Sequence, residues 1–129
     1  MLELAAALAV HVRAGDVVAL EGELGAGKTT FVRGLVDALV GGDRVSSPSF
    51  TFRHRYEAPG RPAVEHLDLF RLEREEELAE LGLEEAFGPG LVTVVEWARR
   101  APQLVGAPRW RVLIQGSGTG PRRVTIVRE

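Results

Sequence analysis

A chain of 129 residues, 45% hydrophobic and 26% charged, is sized for one soluble domain built around one core. Its formal net charge of -2 provides no global basic field for nucleic acid. The absence of cysteine excludes disulfides, thiolate metal sites and cysteine nucleophiles, and no apolar run approaches the roughly 20 residues of a membrane span.

In chain order, Leu4, Leu8 and His11-Val12 recur at helical spacing among alanines, which predicts a helix ending near Ala14-Gly15. The apolar stretch from Met1 to Val10 carries Glu3 and no basic lead-in, so it does not read as a signal peptide. With the missing cysteines, this sets the expectation of a cytoplasmic protein. Val17 to Leu20 reads as a short buried parallel strand, and Thr29 to Val40 as a helix stopped by Gly41-Gly42. Asp43 to Ser49 reads as a polar loop, and Phe50 to Tyr56 as a strand. A turn at Ala58 to Pro62 joins it to a second strand, Ala63 to Asp68, as a hairpin. Glu73 to Leu81 reads as a charged helix capped by Gly82. Leu91 to Val95 is the strongest buried strand and ends in Glu96. Trp110 to Gln115 and Arg123 to Val127 close the chain as two strands around a glycine-rich loop. The expected fold is α/β, with a mixed central sheet flanked by helices; because the first strand feeds the glycine loop Gly22 to Thr29 into a helix, it is that of a single P-loop NTPase domain over residues 1–129.

Between the first strand and the second helix, Gly22-Glu23-Leu24-Gly25-Ala26-Gly27-Lys28-Thr29 matches the phosphate-binding pattern GxxxxGK[ST] in full. The glycines let successive amide hydrogens turn inward toward phosphate oxygens, and the following helix adds the positive end of its dipole. Lys28 would neutralise β- and γ-phosphate charge, and the Thr29 hydroxyl would ligate Mg²⁺. Lys28 is the only lysine among sixteen basic residues, in a chain that also has no asparagine. This bias fits a GC-rich source, and the missing asparagine and cysteine set the expectation of a heat-adapted one. A compact ammonium fits among phosphate oxygens where a guanidinium fork does not.

Such a loop requires an acid at a nearby strand end to hold Mg²⁺, directly or through water. Glu96 and Asp68 both occupy such ends; the alternative for each is a solvated surface acid. Asp68 could instead orient an attacking water or a sensor group. His66 shares a strand face with Asp68 and reads either as a site residue or as a hydrogen-bonded structural histidine. Ser46, Ser47 and Ser49 read as a γ-phosphate-sensing switch or as a Ser-Pro turn. Arg71, Arg99 and Arg100 read better as solvated surface than as arginine fingers. Glu73 to Glu80 reads as a solvated face or an acidic docking patch, and Trp97 as packing or as a nucleotide cover.

Taken in order, these residues resemble the bacterial TsaE family, the ATPases of tRNA threonylcarbamoyladenosine biosynthesis. The resemblance rests on Gly22 to Thr30, Ser47-Pro48-Ser49-Phe50-Thr51 with Tyr56, and His66-Leu67-Asp68-Leu69-Phe70-Arg71-Leu72. Glu76-Glu77-Leu78, Glu80-Leu81-Gly82 and Val95-Glu96-Trp97 complete it, so that it spans most of residues 15–97. It implies a small Mg²⁺-dependent ATPase, weak alone, that works with TsaB and TsaD and meets tRNA only indirectly. Together with TsaC, that system places threonylcarbamoyl on the adenosine beside the anticodon of tRNAs reading ANN codons. The nucleotide cycle would reset the transferase complex. By matching position, Gly22 to Thr30 and Ser49 would contact nucleotide, and Thr29 and Glu96 would hold Mg²⁺. Asp68 would have a catalytic or sensing role, and residues 47–51 would form the switch. The chain departs from the family in Ser49 for threonine, in Phe70 for tyrosine, and in Met1-Leu2 where a threonine is expected beside the adenine. The Gly116 to Gly120 loop is a further candidate for contact with the base.

Two other classes remain open on the residues alone: a small-molecule kinase, for which the chain is short, and a non-catalytic ATP-dependent docking module. A G protein ranks below the kinase, because without asparagine the Asn-Lys-x-Asp guanine reader cannot exist.

Overall fold

A computed structural model describes residues 1–23, 25, 27–42, 44–50, 53–80, 82–116 and 118–129, with residues 45–50 and 78 described through their backbone alone. Among them, seven strands form one sheet in the order β2-β3-β4-β5-β1-β6-β7. They are β1 (Val17–Gly22), β2 (Val45–Phe50), β3 (Arg53–Glu57), β4 (Ala63–Asp68), β5 (Leu91–Glu96), β6 (Trp110–Gln115) and β7 (Arg123–Arg128). The central four, β4-β5-β1-β6, run parallel, while β2, β3 and β7 extend the sheet antiparallel at its flanks. The mixed α/β sheet of a P-loop NTPase is therefore present.

Two-residue periodicity sorts the strand side chains onto two faces. Val18, Leu20, Val92 and Val94 meet Phe31 and Leu35 of α2 (Lys28–Leu39) and Leu8 of α1 (Leu2–Ala9). Ala19, Leu67 and Val95 meet Leu69, Leu83 and Val105 on the other side. Full burial of a side chain the size of Phe31 or Leu35 contributes about 1.5–3 kcal/mol. Helices α1 and α2 approach closely because Gly34 carries no side chain: a Cβ there would lie 2.7 Å from the Ala5 Cβ.

The structure corrects three expectations. Helix α1 stops at Ala9, where short bonds from His11 N to Leu8 O and from Val12 N to Ala9 O tighten the chain into a turn. The predicted loop over 43–49 is largely strand β2, paired antiparallel with β3, and the predicted strand over 50–56 divides between the two. Position 43 and positions 51 and 52 lie outside the described residues. Pro48 is accommodated because β2 is an edge strand with one neighbour. The register slips between Pro48 and Phe50, at Ser49. The predicted helix over 73–81 shrinks to α3 (Glu77–Glu80), with Leu81 outside the described residues and Gly82 left-handed at φ 66° before a 3-10 turn, Leu83–Ala86. On a longer helix Glu73 would face Glu76 and Glu77, and Glu80 would face both as well, like-charge pairs three and four residues apart; burial of Leu72, Leu83 and Ala86 holds this segment to the sheet. A further short helix, α4 (Pro102–Val105), has no counterpart in the sequence reading.

Candidate functional site

Strand β1 ends at Gly22, and α2 begins at Lys28 after Gly27, whose φ of 108° only glycine adopts readily. No side chain caps the start of α2, so its first amide hydrogens are presented to whatever occupies the loop. Gly22, Gly25 and Gly27 frame the cradle; Glu23 is exposed, and Leu24 and Ala26 lie outside the described residues. Lys28 is buried, and its Nζ donates to the Gly22 carbonyl at 2.7 Å while lying 4.4 Å from the centre of the Trp97 ring. The ammonium is thus held inside the loop it closes. Thr29 is exposed and Thr30 half-buried on the first turn of α2.

The two predicted acids come together. Strands β4 and β5 are parallel neighbours with Asp68 in register with Glu96, and Glu96 in turn is in register with Leu20 of β1. Both carboxylates therefore stand at the same end of the sheet, beside the glycine loop. Asp68, Glu96, Lys28, Thr29, Phe70 and Trp97 line one cavity of about 290 Å³ together with Gly25 and Gly27. Asp68 Oδ1 accepts from the Phe70 amide at 3.1 Å. Glu96 is buried, and its Oε2 meets His66 Nε2 at 2.6 Å. His66 is therefore hydrogen-bonded, the second of its two sequence readings, and its partner is one of the two candidate acids.

The donor set around this cavity is hydroxyl and carboxylate oxygen, which suits a hard cation such as Mg²⁺. Among the described residues no group of three or more His, Cys, Asp or Glu side chains forms a cage. Mg²⁺ takes one or two carboxylates and completes its shell with phosphate and water, and Asp68 and Glu96 line the cavity as two.

Trp97 has φ 59°, the one positive φ outside glycine among the described residues. A bulky side chain in that region stores strain, which concentrates at functional sites. Its ring packs on Phe70 at 5.0 Å and carries the guanidinium groups of Arg99 at 4.9 Å and Arg100 at 5.6 Å. Arg100 also donates to the Leu72 carbonyl at 3.0 Å, so these arginines stack on the tryptophan as well as meeting solvent. Arg71 is exposed. A second cavity, of about 370 Å³, shares Lys28 and Trp97 with the first and continues past Gly22 and Arg99 to Gln115 and Gly116.

Two contacts were not legible beforehand. Arg122, following the glycine-rich loop after β6, donates to the Gly25 carbonyl at 3.3 Å and so braces the P-loop from outside. The Met1 methyl group would lie 3.1 Å from a Cβ placed on Gly27, so Met1 borders the P-loop. The side chains of Ser46, Ser47 and Ser49, and Ser117 of the late loop, lie outside what is described.

A family profile described as "Threonylcarbamoyl adenosine biosynthesis protein TsaE" matches residues 1–124. The chain belongs to the TsaE family. It is similar to the tRNA threonylcarbamoyladenosine biosynthesis protein TsaE of Bacillus subtilis, 38% identical over 118 residues that make up 92% of this chain and 73% of the relative. TsaE of Rickettsia conorii is 34% identical, over 97% of this chain and 71% of the relative. Among solved structures, a crystal structure of Bacillus subtilis YdiB superposes with a TM-score of 0.75 at 34% identity, covering 98% of this chain and 77% of that one. The TsaE family takes part in tRNA threonylcarbamoyladenosine biosynthesis. No helix among the described residues is long and apolar enough to cross a membrane.

Proposed function

We propose that this chain binds ATP with Mg²⁺ and hydrolyses it, as the nucleotide-driven subunit of the tRNA threonylcarbamoyladenosine system. The observation that carries the reading is the convergence of the uncapped start of α2, Lys28 and two register-matched carboxylates on one cavity of about 290 Å³. The P-loop amides and Lys28 bind the phosphates, and Lys28 exchanges the Gly22 carbonyl for phosphate oxygen as it does so. Thr29, Glu96 and Asp68 supply the oxygens that would hold Mg²⁺; bound there, the ion would neutralise phosphate charge. A carboxylate oxygen at Asp68 or Glu96 orients the attacking water, while Trp97 and Phe70 wall the cavity against bulk solvent. Of the nucleotide contacts proposed at Gly22 to Thr30 and Ser49, the described glycines, Lys28 and Thr29 surround the loop.

The partners in this reading are TsaB and TsaD, in the cytoplasm, with tRNA held mainly by them; the net charge of -2 is consistent with that division. Turnover is weak alone and raised by the TsaB–TsaD pair. A second reading, phosphoryl transfer to a small acceptor, draws support from the cavity of about 370 Å³ that shares Lys28 with the phosphate site.

ATP hydrolysis by the purified chain, alone and with TsaB–TsaD, tests the proposal, with Lys28→Ala as the blank. Expected is a low rate alone, a clear rise with the pair, and loss of at least a hundredfold in the variant, on the order of removing a key charge-stabilising donor. Equal rates for wild type and variant would sink the site assignment. A site that functions but ignores the pair would overturn the partner coupling and turn attention to a phosphorylated small molecule.

A further inference from the structure

We propose that His66 is a positioning residue that fixes the Glu96 carboxylate for its task, a proposal that rests on the Mg²⁺–ATP reading of the site. Glu96 is the last residue of β5, and the chain leaves the sheet immediately afterwards through the strained Trp97. Nothing in its own strand beyond that point holds the glutamate side chain, whose three torsions would otherwise be free to point elsewhere. His66 supplies the hold from the neighbouring strand. It is in register with Val94, two residues before the Asp68–Glu96 pair, on the same sheet face. Its ring reaches diagonally forward to Glu96 Oε2 at 2.6 Å, with both side chains largely shielded from solvent. An ionised carboxylate only accepts, so against that form His66 Nε2 is the donor.

The consequence appears when the two acids are considered together. Asp68 has one oxygen occupied by the Phe70 amide, and Glu96 has one occupied by His66. Among the described residues the second oxygen of each carboxylate takes no hydrogen bond, and both side chains line the same cavity as Thr29. Each acid is therefore anchored by one oxygen and offers the other. Partners that orient ligating groups in this way change metal affinity or activity by about 10–100-fold when removed.

The test uses the 129-residue chain and three variants chosen by reach. His66→Gln places an amide nitrogen where Nε2 stands; His66→Leu fills the space without a donor; His66→Asn is polar but too short to reach Glu96. A nonhydrolysable ATP analogue is titrated into each protein by calorimetry, with Mg²⁺ and again with EDTA, and melting temperatures are recorded alongside. The readout is the ratio of the two affinities. Expected is a ratio for His66→Gln close to wild type, and a ratio lower by about tenfold for His66→Leu and His66→Asn, with the EDTA affinity unchanged in all. If the leucine variant does not fold, the glutamine–asparagine contrast decides. Leucine and asparagine variants that keep the wild-type ratio, or a glutamine variant that loses as much as they do, overturn the positioning role while leaving the site reading intact. A wild-type protein that binds no nucleotide, or binds it with no regard for Mg²⁺, overturns the reading itself and the inference with it.

Discussion

Glu65 and His66 are consecutive in β4, yet they face opposite sides of the sheet and meet carboxylate chemistry of two kinds. On one side Glu65 is fully buried and both its oxygens are taken: Arg53 grips the two, at 2.8 and 2.9 Å, and Arg55 adds a bond of 2.9 Å. The grip holds the Arg53 guanidinium above its ordinary pKa, chiefly through the hydrogen bond to Glu65 and against the opposing effect of burial. On the other side Glu96 and Asp68 each have one oxygen anchored and one left over, beside a cavity. Under the proposed function, the difference separates a structural carboxylate from a chemical one. Burial and a nearby cation are common to both regions; what distinguishes them is whether the acid is saturated by its own chain.

The largest effect expected from this comparison is on the saturated side. Glu65→Ala leaves Arg53, itself buried, as an uncompensated charge, and breaking one partner of such a pair costs about 3–5 kcal/mol. Chemical denaturation should register that loss, while the protein that remains folded keeps its nucleotide affinity. A mild loss of stability with a collapse of nucleotide binding would reverse the assignment of the two faces.

On the unsaturated side the pattern inverts. Glu96→Gln keeps the shape and an acceptor for His66 but removes the charge, so denaturation midpoints should move little. ATP hydrolysis should fall by about a hundredfold, the lower range for a positioned acid–base or metal-orienting group. A variant that unfolds like the Glu65 one, or one that turns over at the wild-type rate, would erase the distinction.

Much of the chemical side was legible in the chain. The glycine loop announces itself by spacing, and Asp68 and Glu96 each close an apolar run, which is where a parallel sheet presents functional groups. The structural side was not, because Glu65 sits in an alternating segment, Ala63 to Asp68, that reads equally as half-exposed strand. Its partner Arg53 is twelve residues away and meets it only once β3 and β4 settle their antiparallel register. The same limit hid the His66–Glu96 bond, thirty residues apart, although the strand-face argument placed His66 beside Asp68. Strand β2 escaped for a different reason. Its Ser-Ser-Pro-Ser run has turn chemistry, and only its place at a sheet edge makes it a strand.

The smallest expected effect is the sharpest check on saturation, because one side chain spans both environments. Arg55 donates from Nη1 to buried Glu65 and from Nε to exposed Glu57 at 2.7 Å. The two bonds have comparable length and share a guanidinium, so distance cannot rank them. Solvent can: Glu57 recovers hydration when its partner is lost and leaves Arg55 with water and Glu65, whereas Glu65 has no water to fall back on. Glu57→Ala should therefore change stability by no more than about 0.5 kcal/mol, the level of an exposed ion pair. The midpoint of urea unfolding measures it. A cost several times larger would mean that Glu57 tensions the whole Arg55–Glu65–Arg53 network, so that the structural cluster extends to the surface and saturation at Glu65 depends on a residue water can reach.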